Sequence, residues 1–157
     1  MGVYDVAVSA DGNYLAAVND TGLYYFDADS KNPLWWYQPP TIILMSVAIS
    51  ADGDYVVAGD NNGYLHCFNQ SRTRTDSETT PTWTSSSMYG PIERGTLDIS
   101  ANGNYTVVGG TGQNIWYYAD CTKRTGPKQN ATWVSYVGNE FYTVHISPNG
   151  KYVAGGG

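Results

Sequence analysis

Val47-Ala-Ile-Ser-Ala-Asp-Gly-Asp-Tyr-Val-Val-Ala-Gly59 holds two apolar runs on either side of Asp52-Gly53. Glycine reaches positive φ at little steric cost, so Asp-Gly between two apolar runs marks a tight hairpin. The stretch recurs. Val6-Ala-Val-Ser-Ala-Asp-Gly-Asn-Tyr14, Leu97-Asp-Ile-Ser-Ala-Asn-Gly-Asn-Tyr105 and Val144-His-Ile-Ser-Pro-Asn-Gly-Lys-Tyr152 align with it. The aligned serines are Ser9, Ser50, Ser100 and Ser147, spaced by 41, 50 and 47 residues.

Each repeat continues in a fixed order. The second run is Tyr14-Leu-Ala-Ala-Val18, Tyr55-Val-Val-Ala-Gly59, Tyr105-Thr-Val-Val-Gly109 or Tyr152-Val-Ala-Gly-Gly156. These runs do not alternate cleanly, as expected for strands covered on both faces. Turns follow at Asn19-Asp-Thr-Gly22, Asp60-Asn-Asn-Gly63 and Gly109-Gly-Thr-Gly112. A third strand comes next, at Leu23-Tyr-Tyr-Phe26, Tyr64-Leu-His-Cys-Phe68 and Ile115-Trp-Tyr-Tyr118. A fourth carries tryptophan, at Leu34-Trp-Trp-Tyr37, Thr82-Trp-Thr84 and Thr132-Trp-Val134. Loop length varies between the third and fourth strands, with longer loops at Gln70–Pro81 and Thr122–Ala131. Such variation marks an exposed, outer edge.

A period of about 40–50 residues with four strands per unit belongs to β-propellers. The expectation is an all-β chain forming one partial propeller over residues 1–157. Its blades are four-stranded and antiparallel, at about 3–40, 41–90 and 91–138. The first two strands of a fourth blade follow at 139–157. Two open blade faces create a physical problem. A face of about 300 Å² that is half or more apolar forfeits about 4–8 kcal/mol when left in water. Two of them rival the about 5–15 kcal/mol of a whole domain. The chain is therefore expected to be part of a larger propeller or to assemble.

The repeats resemble WD40-like and quinoprotein-like (PQQ-type) propeller repeats common in archaeal and bacterial proteins. The hairpin at 47–59 carries most of that likeness. Tyr25-Phe-Asp-Ala-Asp-Ser-Lys-Asn-Pro-Leu-Trp35 resembles the quinoprotein-type third strand, turn and tryptophan strand. The Trp-Asp dipeptide of WD40 repeats is absent from the ends of the third strands. The resemblance implies fold more than function, because such repeats serve enzymes, assembly factors and scaffolds alike.

Composition agrees with an all-β reading. There are 14 Tyr and 5 Trp, and charged residues make up 14%, against about 25% in a typical domain. The net charge is −6, with a pI near 4.5. Phosphate binding needs clustered Lys and Arg, so nucleic acid is not an expected partner. Arg72 and Arg74, with Asp76 and Glu78 nearby, read as a solvated loop. No apolar run approaches the about 20 residues of a membrane span. Few charges and many Ser, Thr and Asn residues point to an extracellular or cell-envelope setting.

No constellation demands a particular chemistry. Cys67 and Cys121 stand at non-equivalent places and read as buried or free thiols. His66 and His145 lie in different repeats and read as structural. Asp52, Asp54 and Asp60-Asn61-Asn62-Gly63 are acidic and amide-rich, but their spacing fits turn chemistry better than a calcium loop. Trp35, Trp83 and Trp133 recur at equivalent places, as core packing does. No quinone-ligand position can be matched. Catalytic, cofactor and metal residues are accordingly none. N-glycosylation sequons begin at Asn19, Asn69, Asn104 and Asn130, in or beside expected turns.

The expected function is a non-catalytic scaffold that binds protein or further blades. The alternatives are a structural cell-surface or filament subunit and, second, a quinoprotein-type enzyme. Mutual assembly of copies is compatible with the first two.

Overall fold

The computed structural model describes residues 2–75, 79–110 and 112–157. Strands β1 (Val3–Val8), β2 (Tyr14–Asn19), β3 (Gly22–Asp27) and β4 (Trp35–Tyr37) form one antiparallel sheet in sequence order. Strands β5 (Leu44–Ile49), β6 (Tyr55–Asp60), β7 (Leu65–Asn69) and β8 (Trp83–Ser85) repeat that order. The third sheet holds β9 (Leu97–Ile99), β10 (Thr106–Val108), β11 (Asn114–Tyr118) and β13 (Trp133–Tyr136). Strands β14 (Thr143–Ile146) and β15 (Val153–Gly156) pair alone. These are propeller blades, and the ring they trace is open. Among the described residues no helix is long and apolar enough to cross a membrane.

The remaining strand, β12 (Gly126–Gln129), lies in the long loop between β11 and β13. It pairs in parallel with β8 of the preceding sheet, with Gly126 opposite Trp83 and Gln129 opposite Ser85. The second sheet therefore has a fifth strand that the repeat pattern does not announce. The loop is at the outer edge, as its variable length implies, and it covers a sheet edge that would otherwise be unpaired.

The repeated serine explains the hairpin. Ser9, Ser50, Ser100 and Ser147 each donate through Oγ to the Asp or Asn two residues on, at 2.6, 2.7, 2.9 and 2.8 Å. The same oxygens accept the backbone N–H of Tyr14, Tyr55, Tyr105 and Tyr152 at 2.9–3.0 Å. One hydroxyl thus ties both arms of each turn, and a side-chain loop of this kind is strong only where both ends are satisfied.

The core is divided into layers between blades. One cluster includes Val18, Tyr25, Trp35, Val47 and Phe68, joining the first sheet to the second. Another includes Val57, Trp83, Ile99, Val108 and Tyr118, joining the second to the third. A smaller one, with Val107, Phe141, Val144 and Ile146, joins the third to β14–β15. Backbone bonds stitch the hairpins across these seams: Ala10 N–H to Ala51 O, Ala51 N–H to Ala101 O, and Ala101 N–H to Pro148 O, at 2.9–3.0 Å.

Candidate functional site: the axial concavity and the blade seams

The innermost strands β1, β5, β9 and β14 line a concavity of about 330 Å³. Asp5, Ala7, Ala48, Asp98, Thr143 and His145 face it. Asp5 Oδ2 accepts from Ser46 Oγ at 2.9 Å and from the Val47 N–H at 3.0 Å, joining β1 to β5. Asp98 Oδ2 accepts from the Ile146 N–H at 2.9 Å and lies 3.5 Å from His145 Nδ1, joining β9 to β14. Carboxylates thus staple adjacent inner strands. The imidazole of His145 is 75% exposed, so its pairing with Asp98 adds little stability. Asp98 and His145 replace the alanines Ala7 and Ala48 at one aligned position. That shared departure, in neighbouring repeats, was the sequence signal for their meeting at the axis.

His66 is placed differently. Its Nε2 is 2.8 Å from Asp60 Oδ2, and both residues are buried. Asp60 Oδ1 accepts the N–H groups of Asn62 and Tyr64 at 2.8 and 2.9 Å. Tyr37 Oη is 3.4 Å from His66 Nδ1. Burial, helped by the charge of Asp60, holds the Tyr37 hydroxyl above its ordinary pKa. Asp60 and His66 are buried, and with the half-buried Tyr37 they form a locking network between β4, β6 and β7.

The acidic cluster of the second repeat is split. Asp52 caps its hairpin through Ser50 and the Asp54 N–H, Asp54 pairs with Arg72 at 3.3 Å, and Asp60 turns inward at the far end of β6. These carboxylates do not converge. Cys67 and Cys121 are buried free thiols. Burial raises both pKa values, that of Cys121 to about 11.

The sequons are also placed. Asn130 is exposed, while Asn19, Asn69 and Asn104 are half-buried. Asn69 Nδ2 donates to Thr122 O at 3.1 Å across a seam, and Asn104 Oδ1 accepts from Thr122 Oγ1 at 2.8 Å. Asn19 Oδ1 caps its own turn through the Thr21 N–H at 2.8 Å.

The seams correct the reading of Arg74 as a solvated loop residue. Its guanidinium lies 6.0 Å from the Trp35 ring centroid and 5.6 Å from that of Phe68. It donates to Asn69 O at 2.9 Å and to Thr80 O at 3.0 Å. Asp76 and Glu78 lie outside the described residues. Arg124 repeats the arrangement, 5.6 Å from Trp83 and 5.4 Å from Tyr118, with donation to Ala119 O and Asn130 O. In each seam the tryptophan meets the next blade's aromatic, Trp35 with Phe68 at 5.3 Å and Trp83 with Tyr118 at 5.8 Å. The indole N–H of Trp35 donates to Ser71 O at 2.7 Å, and that of Trp83 to Cys121 O at 3.0 Å. The signal was present: Ser71-Arg-Thr-Arg-Thr75 and Cys121-Thr-Lys-Arg-Thr125 both place arginine after a third strand.

A second contact repeats at every seam. A Cβ on Gly53, Gly103 or Gly150 would strike the ring of Tyr14, Tyr55 or Tyr105 of the preceding repeat. Gly12 has no such neighbour. At the other end Tyr152 is 72% exposed, and Trp133 is 42% exposed where Trp35 and Trp83 are sealed. The equivalence of the three tryptophans holds in register but not in burial.

No protein-family profile matches the chain, and no curated protein does. Solved structures match widely, 1083 chains in all. One is the crystal structure of RRP9 WD40 repeats, with a TM-score of 0.75 and 11% identity. The match covers 94% of this chain and 42% of that one, so this chain spans less than half the length of its structural neighbour. At that identity the likeness bears on fold alone, and the fold it establishes is the WD40-like β-propeller.

Proposed function

We propose that residues 1–157 act as a non-catalytic protein-binding or assembly scaffold, within a larger propeller surface completed by polypeptide outside them. One observation carries this reading. Positions that are buried at internal seams are bare at the two outer faces. Val6 is 60% exposed where Val47 is 4% and Leu97 is 6%, and Trp133 is 42% exposed where Trp83 is 1%. Contiguous apolar faces of this kind mark interaction surfaces. Light scattering on the chain tests the reading. Association, or acquisition of stability with added polypeptide, is expected. A cooperatively folding 17.1 kDa monomer with high stability of its own would overturn it.

A second reading, a structural subunit, is favoured by one pairing. Tyr152 lacks a glycine to pack on, and Gly12 lacks a tyrosine. Head-to-tail copies would supply each with the other, and a heterologous contact that does not close makes filaments. Ordered polymers on electron microscopy support this reading, and their absence at high concentration counts against it.

A further inference from the structure

Beside Trp133 lies a groove of about 330 Å³, lined by Tyr105, Tyr117, Trp133, Gly150, Lys151 and Val153. It occupies the place that Phe68 and Arg74 fill beside Trp35, and that Tyr118 and Arg124 fill beside Trp83. Strand β15, at its floor, pairs with β14 alone. Deepening the scaffold reading, on which it rests, we propose that this groove binds an extended peptide segment that adds to β15 and carries a defined side-chain code.

Register supplies the code. Phe68 pairs with Val56, and Tyr118 with Thr106. Aligned with these two on the second strand is Val153, so the incoming aromatic sits opposite Val153 and against the Trp133 indole. Three residues later, Ser71 and Cys121 each accept the tryptophan N–H through the backbone carbonyl. Their own N–H groups donate to Asp54 O and Asn104 O at 2.9 and 3.0 Å, and Lys151 holds the aligned position here. Six residues after the aromatic comes arginine, which covers the ring pair in both filled seams.

The fourth position after the aromatic sets the charge. In the second repeat it is Arg72, and it meets Asp54. In the third it is Thr122, and it meets Asn104. At the open groove it meets the exposed Lys151, so a carboxylate belongs there. The segment is an aromatic residue, then Asp or Glu at the fourth place and Arg at the sixth. Main-chain pairing supplies affinity and the side chains supply selection, as in other strand-addition sites.

The probe is a synthetic peptide copied from residues 64–75 with Cys67→Tyr and Arg72→Glu. Binding to the full chain is followed by titration calorimetry and by the Trp133 indole N–H resonance, identified by its loss in Trp133→Phe. The resonance is expected to shift on binding. A peptide that also carries Phe68→Ala and Arg74→Ala is expected to bind about tenfold more weakly. A peptide that keeps Arg72 is expected to bind about threefold more weakly at low salt, with the difference vanishing at high salt. An unmoved Trp133 resonance, or equal binding of the double-alanine peptide, overturns the proposal. Equal binding of the Glu and Arg peptides at low salt overturns its charge rule. If light scattering still shows association while the peptide fails, the scaffold reading stands and this assignment falls.

Discussion

The guanidinium of Arg124 lies 5.6 Å from the centroid of the Trp83 indole, which belongs to the preceding blade. The indole is 1% exposed, and its N–H is already satisfied by Cys121 O. Arg124 also donates to two backbone carbonyls. One side chain therefore closes the seam and fastens the loop that carries β12.

Arg124→Ala is expected to destabilise the chain by about 2–3 kcal/mol, from charge-assisted hydrogen bonds and ring contact together. Arg124→Lys should recover little of this, because a point charge cannot match the planar fork. Urea unfolding with an unchanged slope is the measurement. A loss below about 0.5 kcal/mol would place the seal's stability elsewhere.

Gly12 and Gly103 separate strain from collision. Both have positive φ, +76° and +72°, and each sits in the same turn. Gly12→Ala should cost about 1–2 kcal/mol from the left-handed backbone alone. Gly103→Ala meets the Tyr55 ring as well and should cost about 1–3 kcal/mol more. Parallel thermal melts decide this, and equal costs would contradict the seam geometry.

Asp60→Ala removes the acceptor of two backbone N–H groups and the partner of His66. A loss of about 3–5 kcal/mol is expected. Asp60→Asn keeps an acceptor for the backbone donors and should cost less. Denaturant midpoints for the two variants give the order.

Both thiols have folded pKa values raised by burial. The folded state then holds its thiol protons more tightly than the unfolded one. The associated stability is complete below the unfolded thiol pKa and falls as pH rises from there toward about 11 for Cys121. Sign and window follow from linkage. Stability measured across this range should decline, less steeply in Cys121→Ala. Alkylation of either cysteine near neutral pH should track global unfolding.

The blades were legible because their signals are local. Ser-x-Asp-Gly or Ser-x-Asn-Gly closes its own hairpin, so Ser50 and Gly53 announce the turn without help from distant residues. Cys67 and Cys121 were read as buried or free thiols, and both are free and buried in the seam between the second and third sheets. The Arg74 seal was missed because Asp76 and Glu78 stand beside it in sequence, whereas the rings it covers are partly in another blade. Strand β12 was missed because Gly126-Pro-Lys-Gln129 has no strand composition of its own. Its pairing depends on the exposed edge of β8.

By itself the sequence determined the repeat, the strand order and the propeller class, because hairpins and apolar runs are set by neighbours in the chain. Only the tertiary structure decided which repeated residues are finished and which are not. Trp35, Trp83 and Trp133 occupy one place in the repeat, yet burial depends on the blade that comes next, and only the first two have that blade's aromatic and arginine over them. The same holds for Asp98 and His145, which meet at the axis because adjacent inner strands converge there. The seam at Trp133 is in three dimensions a groove lined by Tyr105, Tyr117 and Lys151.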